Sequence, residues 1–132
     1  MNLKAEWLSG FTDAVGCFRI ILNDTSDLSV HSHIICEFSV ERDNADVQIL
    51  YEIKSFFGCG VVRSSSPSSK VYCVKNISHL CEYIVPFYEK HKLKSKKGIT
   101  FKNFRKVLLK IRDKSHVNSM TIEYIKNCVS NM

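Results

Sequence analysis

The sequence predicts an α+β domain: a four-stranded antiparallel sheet with helices on one face and further helices at the C-terminal end. Three observations carry this. Two strand-like runs lie before residue 45, a shorter pair flanks a serine-rich turn, and segments with apolar residues at helical spacing separate and follow the two pairs. The order is α-β-β-α-β-β-α plus C-terminal helices. Helices can cover one side of such a sheet; the other must meet solvent, a ligand or a partner.

Residues 3–15 read as a helix with Gly16 as its C-cap. Cys17 to Asn23 (CFRIILN) is a strand run, a polar loop spans Asp24 to Val30, and His31 to Glu41 (HSHIICEFSVE) alternates as a second strand. Asn44 to Phe57 is amphipathic, with Val47, Leu50, Tyr51, Ile53 and Phe57 near helical spacing, and Gly58 and Gly60 break it. Two more strands, Gly60 to Ser64 and Lys70 to Lys75, surround the loop Ser64-Ser65-Ser66-Pro67-Ser68-Ser69. Asn76 or Ser78 can cap a helix containing Leu80, Tyr83, Ile84 and Phe87. After a lysine-rich connection, Phe101 to Arg112 is an amphipathic helix with a Phe104, Val107, Leu108 and Ile111 stripe. Asn118 to Val129 is a last short helix.

A length of 132 residues suits one domain, 1–132, with a real core, and no internal repeat is visible. No apolar run is long enough for a bilayer, and Met1-Asn2-Leu3-Lys4 does not resemble a secretory signal, so no membrane partner is expected. The six cysteines form no CxxC pair, which argues against a zinc or redox motif and for a reducing compartment. His31 and His33 can share a strand face, but nothing nearby completes a ligand set. Charge is unevenly spread. Residues 1–86 carry 7 Lys/Arg against 10 Asp/Glu, residues 87–132 carry 12 against 3, and five lysines fall between Lys90 and Lys97. Such a cluster is either a phosphate-neutralising surface or a solvated connection between helices.

The most specific segment is Trp7-Leu8-Ser9-Gly10-Phe11-Thr12-Asp13-Ala14-Val15-Gly16-Cys17-Phe18. Gly10 and Ala14 lie four apart, on one helical face, where small residues let another helix approach closely or simply pack in a core. The segment resembles the LAGLIDADG motif of homing endonucleases. The match runs through Leu8 to Phe11, then Asp13, Ala14 and Gly16, and continues into the following strand. Asp46 to Gly60, Val71 to Val74, Leu93 to Lys97 with Phe101 and Phe104, and Thr121 to Met132 are also similar to the family's elements in order.

The resemblance implies that two motif helices stand side by side, each ending at the centre of a DNA saddle made of four-stranded sheets. With one motif in this chain it implies a homodimer through Trp7, Gly10, Phe11 and Ala14, and a palindromic or near-palindromic double-stranded DNA target rather than a small-molecule substrate. Strand alternation then sorts the side chains. Phe18, Ile20 and Leu22 face the core, leaving Arg19, Ile21 and Asn23 on the groove side. Cys36, Phe38 and Val40 face the core, leaving His33, Glu37 and Ser39 outward. Arg63 and Ser65 face outward opposite Cys73 and Lys75, and Lys70 touches phosphate. Each outward residue can equally belong to a solvated sheet face, and Glu37 can pair with Arg19.

One position departs sharply. In the family the eighth motif residue is an acid holding a divalent cation, Mg2+ or another, beside the scissile phosphate. Here it is Val15, which has no oxygen to offer a hard cation. Asp13 cannot simply replace it, because residues i and i+2 of a helix point about 200° apart; the Gly16 carbonyl alone makes a poor site. Lys96, with Lys97 as its near alternative, matches the family's phosphate-stabilising base. Arg42 stands where a water-positioning polar residue is usual. The sequence thus predicts DNA binding with cleavage lost or strongly reduced, whether Val15 is natural or introduced, with residual nicking the less favoured outcome. The alternative is an RNA-binding, maturase-like or ribosomal-RNA-associated protein built on the same fold. The resemblance also implies an intron-encoded gene of a mitochondrion or plastid.

Overall fold

The computed structural model describes residues 3–22, 34–112 and 119–132; the side chains of residue 22 and residues 119–123 lie outside that description, as do Asn23, His31 and His33. Helix α1 (Ala5–Val15) leads straight into strand β1 (Gly16–Leu22). Leu8, Ser9 and Thr12 form its buried face, at the one-turn spacing that places side chains together. Gly16 ends the helix, but in extended conformation (φ −74°, ψ 162°) rather than as a left-handed cap. Its glycine is needed for space: a Cβ there would lie 2.5 Å from Thr12 Cγ2 and 3.0 Å from the Thr12 carbonyl oxygen.

Strand β2 (Ile34–Asp43) pairs antiparallel with β1, Gly16 facing Val40 and Leu22 facing Ile34. A 3-10 turn at Asn44–Asp46 then leads into α2 (Val47–Phe57), which buries Leu50, Ile53 and Phe57 and ends on left-handed Gly58 (φ +74°). Strands β3 (Val61–Ser66) and β4 (Ser69–Val74) complete an antiparallel sheet of order β1-β2-β4-β3, so β2 and β4 are central. The hairpin turn is only Pro67-Ser68, not the six-residue loop expected. The serines extend both strands because their hydroxyls pair across the ladder: Ser65 Oγ and Ser66 Oγ each lie 2.8 Å from Ser69 Oγ. Arg63 faces Val71 and Val61 faces Cys73, and a bulge between Ser64 and Ser66 shifts the register by one residue at the hairpin end.

Asn76 does cap the next helix, its side chain accepting from the His79 amide. A short turn α3 (Ile77–His79) passes through a π turn over Leu80–Ile84 into α4 (Val85–Lys90), whose first turn holds Pro86. The proline lacks an amide to donate, and the π turn absorbs the register change. The buried side shifts with it: Leu80 and Ile84 are followed by buried Val85 and Tyr88, while Tyr83 is 44% exposed. Helix α5 (Lys97–Arg112) starts a turn earlier than its apolar pattern implies, with the Lys97 amide donating to Ser95 Oγ. Helix α6 (Ser119–Ser130) follows and packs on α5.

The helices cover one face of the sheet. Phe18, the second residue after the motif's last glycine, is the hub of the core: its ring centroid lies 5.1–5.6 Å from those of Phe38, Tyr88, Phe101 and Phe104. Such ring pairs add about 0.5–1.5 kcal/mol each beyond area burial. The motif helix is therefore anchored through its own C-terminal strand to α4 and α5. None of the helices among the described residues is long and apolar enough to cross a membrane.

Candidate functional site

Two surfaces matter: the end and open side of α1, and the sheet face opposite the helices. The inward polar residues of α1 tie it to a distant segment. Ser9 Oγ donates to the His91 carbonyl at 3.1 Å, and Thr12 Oγ1 lies 2.6 Å from the Tyr88 hydroxyl while donating to the Leu8 carbonyl. Asp13 receives the Lys94 amide (2.9 Å), the Ser95 amide (2.9 Å) and the Ser95 hydroxyl (2.7 Å). Lys97 Nζ donates to the Thr12 carbonyl at 3.3 Å. Burial pushes the Asp13 carboxyl up, but the Lys94 and Ser95 donors and the Lys97 charge outweigh it, so it ionises below the usual carboxylate range. Asp13 is thus a clasp holding the basic connection against the end of the motif helix. Its spacing with Ser9 and Thr12 on one helical face was the available signal, since inward polar groups need partners; the identity of the partners, some 80 residues away, was not readable.

Of the two candidate lysines, Lys97 is the one whose ammonium reaches the end of α1; Lys96 is exposed, and its carbonyl serves the first turn of α5. Val15 is half-buried against the hydrophobic core. The donor set here does not fit a divalent cation. Val15 offers no oxygen, both oxygens of Asp13 are taken by donors from residues 94 and 95, and the Gly16 carbonyl would stand alone. No group of three or more His, Cys, Asp or Glu suited to a metal occurs among the described residues. Arg42 is ion-paired with Asp46 at 3.0 Å and sits over the Phe11 ring, 5.8 Å from its centroid.

The outer side of α1 is open. Trp7 is 46% exposed and stacks on half-buried Phe11 at 4.8 Å, while Gly10 and Ala14 are exposed between them. A Cβ on Gly10 would meet nothing within 4 Å. All four expected contact residues therefore share one unpartnered helical face.

On the outer sheet face the rows run Ile21–Ile35, Arg19–Glu37, Cys17–Ser39–Cys73–Val61 and Glu41–Val71–Arg63. Arg19, Arg63 and Ser65 are exposed as expected, Ile21 is half-buried, and Lys75 is exposed just past the end of β4. Glu37, Ser39 and Cys73 share the face but are only 7%, 8% and 3% exposed. They sit on the central strands between longer neighbours, and the Cys73 thiol bonds Glu37, with burial and that carboxylate both raising its pKa. Glu37, Ser39 and Cys73 therefore form the floor of this face, between its exposed side chains. Lys70 lies on the other parity, beyond the helices at the hairpin end, where its ammonium donates to Ser64 Oγ at 2.9 Å. Asn23 and His33 fall outside the described residues.

Residues 8–108 match the family model described as LAGLIDADG endonuclease. The chain belongs to that family. Its fold superposes on the crystal structure of the homing endonuclease I-TnaI with a TM-score of 0.91 and 32% identity, covering 100% of this chain and 89% of that one. It superposes equally, TM-score 0.91 at 28% identity, on the LAGLIDADG homing endonuclease I-GzeII solved in complex with its DNA target, covering 100% of this chain and 45% of that one. A probable intron-encoded endonuclease 2 of Neurospora crassa is 25% identical over 122 residues, covering 91% of this chain and 25% of its own. This LAGLIDADG chain thus spans about a quarter of that curated relative's length.

Proposed function

We propose that this chain binds a long, near-palindromic double-stranded DNA site as a homodimer, and that phosphodiester cleavage is lost or strongly reduced. The observation that carries the reading is the division within α1: an open Trp7, Gly10, Phe11 and Ala14 side suited to a second motif helix, beside a terminus where Val15 offers no oxygen to a cation. Small residues on that side allow helix axes to approach to about 8 Å. The outer sheet face, with Arg19, Arg63 and Lys75 above a shallow floor, suits a major groove, which admits a two-stranded ribbon. The DNA-bound relative with the same fold supports this placement of the duplex. Intron-encoded relatives support an organellar gene, mitochondrial or plastid.

Selection from random duplexes tests the binding half. Recovery of a two-fold-related sequence, bound by two chains and weakened steeply by salt, is the expected result. Recovery of no preferred duplex, or preference for structured RNA over any selected duplex, contradicts it. The cleavage half is tested by incubating that duplex with Mg2+: intact DNA is expected, and cutting of both strands at a relative's rate contradicts it.

A further inference from the structure

The strong positive balance of the C-terminal third does not lie on the strands. The outer sheet face mixes Arg19, Arg63 and Lys75 with Glu37, Glu41 and Asp43, whereas α5 and the connection before it hold most of the surplus lysines. Between α4, that connection and α5 is a cavity of about 510 Å3, within the range of small-molecule sites. Leu93 and Ile99, the latter 59% exposed, form its accessible apolar floor, while Tyr88 and Phe101, 1% and 6% exposed, contribute little surface. Around the mouth stand Lys92, Lys94, Lys102 and Arg105. The single carboxylate there, Glu89, is bonded to Arg105 at 2.9 Å. Among the described residues no carboxylate pairs with the three lysine ammoniums.

We propose that this cavity binds a nucleotide unit: a base over the aliphatic floor of Leu93 and Ile99, with its phosphates held by Lys92, Lys94 and Lys102. The charge count decides between classes of anion. A monocarboxylate would leave two ammoniums uncompensated, whereas a diphosphate carries two to three negative charges on oxygens that point-charge lysines suit. The apolar floor excludes a bare polyanion as the best fit, because burying it needs an apolar body on the ligand. The site belongs to the helical layer, so it is independent of the outer sheet face.

The same unit can come from a free nucleotide or from a base of a single strand, where apolar stacking and basic side chains act together. Calorimetric titration of the intact chain with ADP, with a six-nucleotide single-stranded DNA and with inorganic pyrophosphate separates them. We expect one-to-one binding of ADP or the oligonucleotide in the micromolar range, roughly 1–100 μM, and whichever binds names the source. Lys92→Glu with Lys102→Glu should weaken it by at least about 100-fold, and Ile99→Glu by about tenfold. Lys54→Ala, exposed near the end of α2 and outside both sites, should leave it unchanged. Failure of both ligands up to about 1 mM, pyrophosphate binding as tightly as ADP, or loss of binding in Lys54→Ala overturns the proposal. None of these outcomes depends on duplex binding, so the two proposals fail separately.

Discussion

Replacing Gly10 by leucine separates folding from assembly. Gly10 lies mid-helix on the open side of α1, and its added Cβ meets no atom within 4 Å. The first atom of the new side chain therefore meets no clash in the lone chain. The chain gains helix propensity, about 0.8 kcal/mol from removing glycine, which for a domain of this size raises Tm by roughly 2–5 °C. A second motif helix meets the opposite effect. Axes packed through Gly10 and Ala14 sit about 8 Å apart, and a leucine at each copy's contact forces them towards 10 Å or more. That separation strips the van der Waals contact on which the interface rests. A dimer gripping two half-sites owes a factor of about 100 to 10,000 in affinity to bivalency. Sedimentation equilibrium with thermal melting reads both effects. The expected result is a monomer with unchanged or raised Tm that binds the selected duplex at least about 100-fold more weakly. A Gly10→Leu protein that remains dimeric, or one that simply unfolds, refutes the assignment of this face.

Three further substitutions and one pH dependence have defined outcomes. Gly16→Ala places a methyl 2.5 Å from Thr12 Cγ2 and 3.0 Å from a backbone oxygen, so it should destabilise by about 1–3 kcal/mol, with Thr12→Ser in the same chain restoring part of the loss in thermal melts. Asp13→Ala should abolish hydrogen-exchange protection of the Lys94 and Ser95 amides while leaving the Leu50 and Ile53 amides protected. In the unaltered chain the same protection has a pH dependence of fixed sign. The Asp13 carboxyl ionises below its usual range, so its contribution is present above about pH 4 and disappears as pH falls through the lower folded value. Phe18→Ala removes the hub of the aromatic core and should cost about 3–5 kcal/mol in denaturant melts.

The element order and the two faces of α1 and β2 were legible because period-2 and period-3.6 patterns are local properties of the chain. Cys36, Phe38 and Val40 are fully buried, and Trp7, Gly10, Phe11 and Ala14 do share one side. The serine hairpin was misread because hydroxyls resemble loop composition, yet here they bond across the ladder at Ser65, Ser66 and Ser69. The start of α5 was hidden because Lys97 and Gly98 carry no apolar stripe, although Ser95 caps them. Alternation placed Cys73 on the outer face correctly, but exposure depends on neighbouring strands, and two flanking strands with Glu37 beside it leave 3% of it open. The Asp13 clasp joins residues some 80 positions apart, a distance that no local pattern reports.

The central claim is that one apolar side chain divides recognition from cutting. Its most direct test compares the unaltered chain with Val15→Glu on the same selected duplex, measuring affinity in Ca2+ and strand cleavage in Mg2+. The account predicts affinities within about threefold of each other, intact DNA with the unaltered chain, and Mg2+-dependent cutting of both strands with Val15→Glu. Full-rate double-strand cleavage by the unaltered chain would contradict it.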